Sequence, residues 1–285
     1  MSTLEKAFLK AMRQEDEAAA KPELSHSSIE RTQDRTHLDR LEVKAEAPKA
    51  KEAQDIVSSR QGISQMEQVN RYSPLELVEK RFVHTGMKDK ILLDRYRNIR
   101  TKLLSDAKKS NFLTIITSVV PYENSGMVAA NLAATFALDE AKTSMLLEAD
   151  ISNPTLNELF DMPDREGLID FLESEEWDSC EVLQKTGIPR LRFVPSGLHR
   201  ENSAEYFTST KMNEFVKELV ERYPDRYPII NAPCVINSAD TRILIELCEK
   251  VVLVVPYGMC SDEEVMQAAL AIGEKKLAGV ILDGF

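Results

Sequence analysis

Short, continuously apolar runs that alternate with helix-like stretches constrain the fold of this chain more than any other feature. From residue 73 onward the runs are FLTIITSV, TSMLLEAD, RLRFVPSG, YPIINAP, VVLVVPYG and AGVILDGF. Stretches with helical spacing of apolar residues, such as GMVAANLAATFALDE and KMNEFVKELVERY, lie between them. Strands that are apolar along their whole length are typical of parallel sheets covered on both faces by crossover helices. The sequence therefore predicts an α/β domain with a six-stranded parallel sheet, in a strand order that the sequence does not specify.

The first 75 residues have a different character from the rest. Their only aromatic residues are Phe8 and Tyr72, and the segment is otherwise polar with mixed charge. Because such a segment cannot bury enough apolar surface to offset its ordering entropy, we expect residues 1–75 to be a largely disordered arm before a domain at 76–285. STLEKAFLKAMRQ is the exception, since its apolar residues share one helical stripe: Leu4, Ala7, Phe8, Ala11 and Met12. This amphipathic helix either frays in solution or docks on a partner or membrane surface.

Composition excludes several classes of function. The formal net charge is −11, which disfavours binding along a nucleic-acid backbone. The four cysteines form no CxxC pair and the four histidines are scattered, a pattern that indicates reduced thiols and no metal site. No apolar run approaches the roughly 20 residues of a membrane span, and no apolar signal core opens the chain. The composition predicts a soluble cytoplasmic protein.

The stretch TSVVPYENSGMVAANLA (residues 117–133) has the outline of a phosphate-binding loop. An apolar strand leads through a turn into a helix, whose N-terminus offers free N–H groups to an anion. In a working loop, glycines let the backbone approach the phosphates, a lysine neutralises them, and a serine or threonine hydroxyl holds magnesium. Ser125 and Gly126 occupy the lysine and hydroxyl positions. The next lysine along the chain, Lys142, lies beyond the helix, so no substitute cation is expected near the loop.

The loop resembles that of the bacterial tyrosine autokinases (BY-kinases), within the Min/Par-like branch of P-loop ATPases, whose pattern is approximately TSxxPGEGKSTxAANLA. The matching residues are Thr117, Ser118, Pro121, Glu123, Ala129, Ala130, Asn131, Leu132 and Ala133. Tyr122 and Asn124 replace the glycines of the pattern, Ser125 its lysine, Gly126 its serine and Met127 its threonine. The resemblance implies a P-loop NTPase-like sheet with helices on both faces.

Further motifs extend the resemblance over roughly residues 85–285. LLEADISNPTLNELFDMPDREGLIDFL is similar to the family's second acidic motif, keeping Asp150 and Pro154, with Glu148 in place of the first aspartate. YPIINAPCVINSAD is similar to YVIIDTPPVLxxxD, with Asn231 at the Walker B aspartate. The opening MSTLEKAFLKA resembles the kinases paired with exosortase-type polysaccharide systems. No tyrosine follows Tyr257, so the family's self-phosphorylated tyrosine-rich tail is expected to be missing, which argues against autophosphorylation.

What the resemblance implies about chemistry is a degenerate nucleotide site. Its positions are Pro121, Tyr122, Glu123, Asn124, Ser125, Gly126, Met127, Glu148, Asp150 and Asn231. With the lysine, the hydroxyl and the carboxylate all replaced, the first hypothesis is a catalytically impaired BY-kinase homologue that assembles or regulates exopolysaccharide biosynthesis and export. The second is a residual ATPase or tyrosine kinase centred on Asp150, which would require ATP and magnesium. The third is a Min/Par-like positioning protein.

A helix before the first strand, LLDRYRNIRTKLL, resembles the family's ExxRxxR motif, which is implied in ring-like self-assembly. Its counterparts are Asp94, Arg97 and Arg100, which share a helical face. A solvated charged helix is the alternative reading. The resemblance implies oligomers of this chain, alone or with an active kinase paralogue, and a membrane chain-length (co-polymerase) partner. That partner would hold the cytoplasmic chain at the inner face of the membrane.

Overall fold

The computed structural model describes residues 71–105, 107, 111–162, 165–200 and 203–284. Helices in this part are α1 (Pro74–Glu79), α2 (Lys90–Ser105), α3 (Ser125–Ala137), α4 (Thr155–Leu159), α5 (Leu168–Glu173), α6 (Ser203–Phe207), α7 (Thr210–Glu221), α8 (Ala239–Leu247) and α9 (Asp262–Ile272). Strands are β1 (Thr114–Ser118), β2 (Thr143–Glu148), β3 (Gln184–Lys185), β4 (Leu191–Val194), β5 (Arg226–Asn231), β6 (Lys250–Pro256) and β7 (Leu277–Asp283). Within these ranges, no helix combines the length and apolar character that a membrane span requires.

The strands form one sheet in the order β3-β4-β2-β5-β1-β6-β7. The six predicted strands are present and pair in parallel. The predicted number was one short, because β3 has two residues and pairs antiparallel with β4 at the edge of the sheet. A strand that short carries no apolar run, so the sequence pattern could not reveal it.

Helices cover both faces of the sheet, as the pattern of strands predicts. Two apolar clusters lie on opposite sides of it, and neighbouring strand residues divide between them: Ile115 belongs to one and Ile116 to the other. The strands β1, β2, β5 and β6 are buried along their whole length. This double burial explains why their sequences are continuously apolar rather than alternating.

The folded part of the described chain begins before residue 76. Ser73 caps α1 through a capping box, in which its Oγ accepts from the Glu76 amide and Glu76 Oε2 accepts from the Ser73 amide. The Tyr72 amide donates to the Gly187 carbonyl at 2.9 Å, and its ring stacks on Phe82. The predicted boundary at 75/76 therefore falls inside a helix. The predicted amphipathic helix lies outside the described residues, and so do residues 1–70 of the disordered arm predicted at 1–75.

Candidate functional site: a degenerate phosphate loop over a buried acid–amide pair

The carboxyl ends of the central parallel strands bring the sequence-predicted loop and acidic positions to one edge of the sheet. The loop 119–124 joins β1 to α3, and Glu148 ends β2 directly opposite Asn231 at the end of β5. Ligands of open parallel sheets bind at this edge. The fold therefore assembles the predicted nucleotide positions in one place.

Polar side chains occupy the two glycine positions of the loop. Tyr122 Oη donates to Asp283 Oδ2 at 2.8 Å, and Asn124 Nδ2 donates to Tyr122 Oη at 3.2 Å. Burial, ahead of the nearby Asp283 carboxylate, raises the pKa of Tyr122. The bonds tie the loop to the end of β7, whereas a phosphate loop needs residues without side chains for close approach of its backbone. Sequence analysis missed Asp283, because it lies 161 residues from Tyr122.

The first turn of α3 lacks the hydroxyl that a magnesium site requires, and the Thr155 side chain lies against that position. A Cβ on Gly126 would lie closer to Thr155 Oγ1 than nonbonded atoms approach each other. Thr155 begins α4, directly after Pro154. Position 126 thus lacks the hydroxyl group, and a side chain there would require the Thr155 side chain to move. The sequence did not indicate this contact, because Thr155 lies far from Gly126 along the chain.

Glu148 and Asn231 form a buried hydrogen-bonded pair. Asn231 Nδ2 donates to Glu148 Oε1 at 2.8 Å, and Glu148 also accepts from the amides of Asp150 and Leu156 at 3.0 and 2.9 Å. Glu148 is fully buried, and burial, partly opposed by these hydrogen bonds, raises its pKa to about 8. Asn231 Oδ1 is buried without a partner among the described residues. Because burial disfavours a charge on Glu148 and Asn231 is a neutral amide, this pair offers a metal ion less negative charge than two aspartates would.

Asp150 is the acidic position of the motif that keeps some exposure. Its Oδ1 accepts from the Asn153 amide at 3.0 Å, so the side chain shapes the turn after β2. Burial raises the pKa of Asp150, and hydrogen bonds from Asn153 and Ser152 oppose the rise. If this chain retains any acidic catalyst, the structure favours Asp150 over Glu148.

Glu148→Gln is expected to change how stability depends on pH. The folded protein holds a proton on Glu148 that the unfolded chain releases above its ordinary pKa of 4.5. The contribution of this proton to the free energy of unfolding is complete below pH 4.5. It is lost as pH rises through about 8, at roughly 1.4 kcal/mol per pH unit. Urea unfolding across this range should give a flatter profile for Glu148→Gln. The exposed Glu158→Gln is the matched control, and a variant profile parallel to wild type would contradict the buried proton.

Known proteins resemble this chain in sequence as well as in fold. No protein-family model matches the chain. It is 30% identical over 194 residues to tyrosine-protein kinase YwqD of Bacillus subtilis (strain 168), an alignment that covers 67% of this chain and 80% of that protein. The chain belongs to the bacterial tyrosine kinase family.

Other family members agree with this assignment. The putative tyrosine-protein kinase CapB of Staphylococcus aureus is 25% identical over 205 residues, covering 71% of this chain and 88% of its own. The crystal structure of the chimerical protein CapA2B2 superimposes with a TM-score of 0.64 at 25% identity, covering 79% of this chain and 97% of that one. The kinase domain of Escherichia coli tyrosine kinase ETK shares the fold, with a TM-score of 0.63 at 19% identity, covering 75% of this chain and 88% of that one.

Two cationic side chains lie near the phosphate loop of this BY-kinase homologue. The sequence predicts no substitute for the missing lysine there. Lys142 does pair with Asp139 at 2.6 Å, beyond α3. However, Lys80 and Arg81 line a cavity of about 430 Å³ beside the loop, together with neutral residues and three acidic ones: Asn124, Met127, Thr155, Glu79, Glu123 and Glu158. Lys80 is engaged by the Leu159 carbonyl and Asp161, both at 2.9 Å, whereas the Arg81 residue is exposed. The sequence did not predict Arg81 near the loop, because Arg81 lies far before the loop along the chain.

A larger cavity of about 1070 Å³ adjoins the same loop of the BY-kinase homologue. Asn124, Met127 and Asp283 line its end, and apolar residues of α1 and α2 form much of its wall. Leu75 and Val78 of α1 remain largely exposed beside it. The sequence did not predict this apolar surface, because α1 spans the predicted boundary at 75/76 between the disordered arm and the domain.

The family's assembly motif divides into an exposed and an internal part. Arg97 Nη1 pairs with Asp94 Oδ1 at 3.2 Å within α2, and both side chains are exposed. Arg100 Nη1 instead donates to the Thr135 carbonyl near the end of α3 at 2.8 Å, while its Nε is buried without a partner among the described residues. Asp94 and Arg97 are available for the predicted assembly surface, and Arg100 has a contact inside the domain.

Arg100→Ala is therefore expected to destabilise the domain, which Arg97→Ala should not do. Loss of a charged donor to a partly buried carbonyl typically costs about 1–3 kcal/mol, while an exposed i,i+3 ion pair contributes under about 1 kcal/mol. Urea unfolding followed by circular dichroism compares the two variants. Equal midpoints would contradict the internal role of Arg100. The assembly role is tested separately, with Arg97→Glu and light scattering.

Proposed function

We propose that this chain is a catalytically impaired BY-kinase homologue that acts as an assembly or regulatory subunit of exopolysaccharide biosynthesis and export. The observation that carries the proposal is the buried Glu148–Asn231 hydrogen bond, which occupies the two carboxylate positions of the family site. Both residues are buried, and each is hydrogen-bonded to the other.

The site residues do not fit the ATP–magnesium complex that the family implies. Phosphoryl transfer needs a cation against the γ-phosphate charge and ligands that hold the metal. Here Ser125 replaces the lysine, Thr155 fills the space beside Gly126, and a neutral amide stands at Asn231. Removal of one such electrostatic group typically costs about 3 kcal/mol in the transition state, so the combined loss reduces transfer to near background.

Calorimetric titration with ATP and magnesium tests this proposal. We expect no binding at micromolar nucleotide, with the Bacillus subtilis relative as positive control. A dissociation constant in the micromolar range or tighter would contradict the impaired site.

A second candidate, a residual ATPase or tyrosine kinase, is favoured by one observation: the Arg81 side chain lines the cavity at the loop. In this alternative Arg81 would stand in for the missing lysine and Asp150 would act as the acidic group. Arg81→Ala discriminates between the two. Under the first proposal nucleotide binding is undetectable with or without the substitution, whereas under the second the substitution abolishes a binding that wild type possesses.

The proposed role requires partners. These are an active kinase paralogue, further copies of this chain, and a membrane chain-length protein that recruits it to the inner face of the membrane. The structural relative CapA2B2 is a chimerical protein, which supports a partner joined to the kinase in that relative. Light scattering of this chain alone, and mixed with the cognate kinase or membrane partner, should show a complex that Arg97→Glu weakens. A monomer under every condition would remove the assembly role.

A further inference from the structure

Two arginines share one face of the sheet at the end opposite the degenerate loop. Arg192 of β4 pairs with Met145 of β2, and Arg226 of β5 pairs with Thr143 on the other side of β2. Because residues 143 and 145 project from the same face of β2, both arginine side chains project there too. Arg226 is the first residue of β5, so the pair lies towards the amino ends of the strands.

Neither guanidinium has a matching anion. Arg226 is 8% exposed and its Nε is buried without a partner, and the same holds for Nη1 of the half-buried Arg192. Within the described ranges, no carboxylate lies within ion-pair distance of either side chain, and the Arg226 guanidinium rests 3.9 Å from the centre of the Tyr223 ring. Burial lowers the pKa of both arginines, and the charge of Arg192 lowers that of Arg226 further.

Other arginines of the domain, unlike Arg192 and Arg226, contact carboxylates. Arg200 contacts Glu173 at 2.8 Å, and Arg222, four residues before Arg226, contacts Glu218. A buried cation without an opposite charge is costly, so such groups are normally paired. At Arg226 the negative charge of Asp225 offsets part of this cost. Lys185 lies directly opposite Arg192 on β3 and adds a third positive charge at this end.

We propose that Arg192 and Arg226 together bind a small oxyanion, either free phosphate or a phosphoryl group carried by a phosphotyrosine side chain. Their planar forks, with nitrogen atoms unused by the protein, suit the oxygens of a phosphoryl group. The bound anion would supply the charge that the fold omits. This site is independent of the proposed loss of kinase activity, because it lies at the opposite end of the sheet.

Thermal unfolding and calorimetry with sodium phosphate, against sodium chloride at equal ionic strength, test the site. Phosphate should raise the Tm of wild type, because a ligand that binds the folded state stabilises it. Arg192→Met should weaken phosphate binding at least ten-fold, while the matched Arg222→Met should leave it unchanged. Arg81→Ala should also leave it unchanged, which separates this site from phosphate held at the α3 N-terminus. A parallel titration with O-phosphotyrosine distinguishes the sources: tighter Arg192-dependent binding than phosphate identifies a phosphorylated chain.

Two results would overturn the proposal. One is a wild-type Tm that responds to phosphate no more than to chloride, with O-phosphotyrosine equally inert. The other is an equal response in wild type and Arg192→Met. If Arg192→Met does not fold, Arg192→Lys takes its place, because lysine keeps the charge without the planar fork. Arg192→Lys should weaken phosphate binding several-fold. An unchanged affinity in Arg192→Lys would also overturn the proposal.

Discussion

Asn231→Asp, which restores the family's Walker B aspartate, is expected to lower the free energy of unfolding by about 3 kcal/mol at pH 9. The new carboxyl would replace the amide that now donates to Glu148 at 2.8 Å inside a fully buried site. Two like charges cannot ionise there together, so the folded-state pKa of the pair is raised. The loss should therefore shrink as pH falls and both groups take up protons. Urea unfolding at pH 5 and pH 9 measures it.

Asn213→Asp is the matched control for this change. Asn213 is an exposed residue of α7, so the same substitution there should alter stability by no more than about 0.5 kcal/mol. If Asn231→Asp and Asn213→Asp have equal effects at pH 9, the buried acid–amide pair does not have the energetic role assigned to it.

Restoring the loop and the Walker B aspartate should not restore nucleotide binding. The combined variant is Tyr122→Gly, Asn124→Gly, Ser125→Lys, Gly126→Ser, Met127→Thr and Asn231→Asp. The serine side chain introduced at position 126 meets Thr155, and the carboxylate introduced at position 231 meets Glu148. Residues that act as a unit are strongly non-additive, so these two obstacles cancel the gain from the lysine.

Adding Thr155→Ala and Glu148→Asp reduces both obstacles, because the first removes the hydroxyl that meets residue 126 and the second moves the carboxyl group at position 148 away from residue 231. The eight-residue variant is expected to bind ATP–magnesium at least about ten-fold more tightly than the six-residue variant, equivalent to about 1.4 kcal/mol. Calorimetry on the two variants measures the difference, and Thr155→Ala with Glu148→Asp in the wild-type loop is the control. Micromolar binding by the six-residue variant would contradict the claim that the residues packed around the loop have also diverged.

The fold was largely predictable because its strands are buried on both faces. Fully buried strands such as β6 leave a continuous apolar run in sequence, and six such runs became six parallel strands. The two-residue β3 leaves none. Strand order could not be predicted from the sequence either, since the crossover helices permit several orders of pairing. Consequently the adjacency of β2 and β5, which joins Glu148 to Asn231, was visible only in the structure.

The candidate site was predictable as a set of positions but not as a set of contacts. The family motif identified Gly126 and Asn231 as departures, yet gave no sign that Thr155 fills the space beside one and Glu148 bonds the other. Contacts between distant parts of the chain, such as Tyr122 with Asp283, have no local pattern. Arg81 was missed for the same reason, because its approach to the loop depends on the path of the chain before β1.

We propose that this BY-kinase homologue has lost phosphoryl transfer. The most direct test of this proposal incubates the purified chain with γ-labelled ATP, magnesium and an inactive variant of the cognate kinase as tyrosine substrate. We expect no label above the blank that lacks this chain. Label that grows with time and with the concentration of this chain, and disappears in Asp150→Ala, would contradict it.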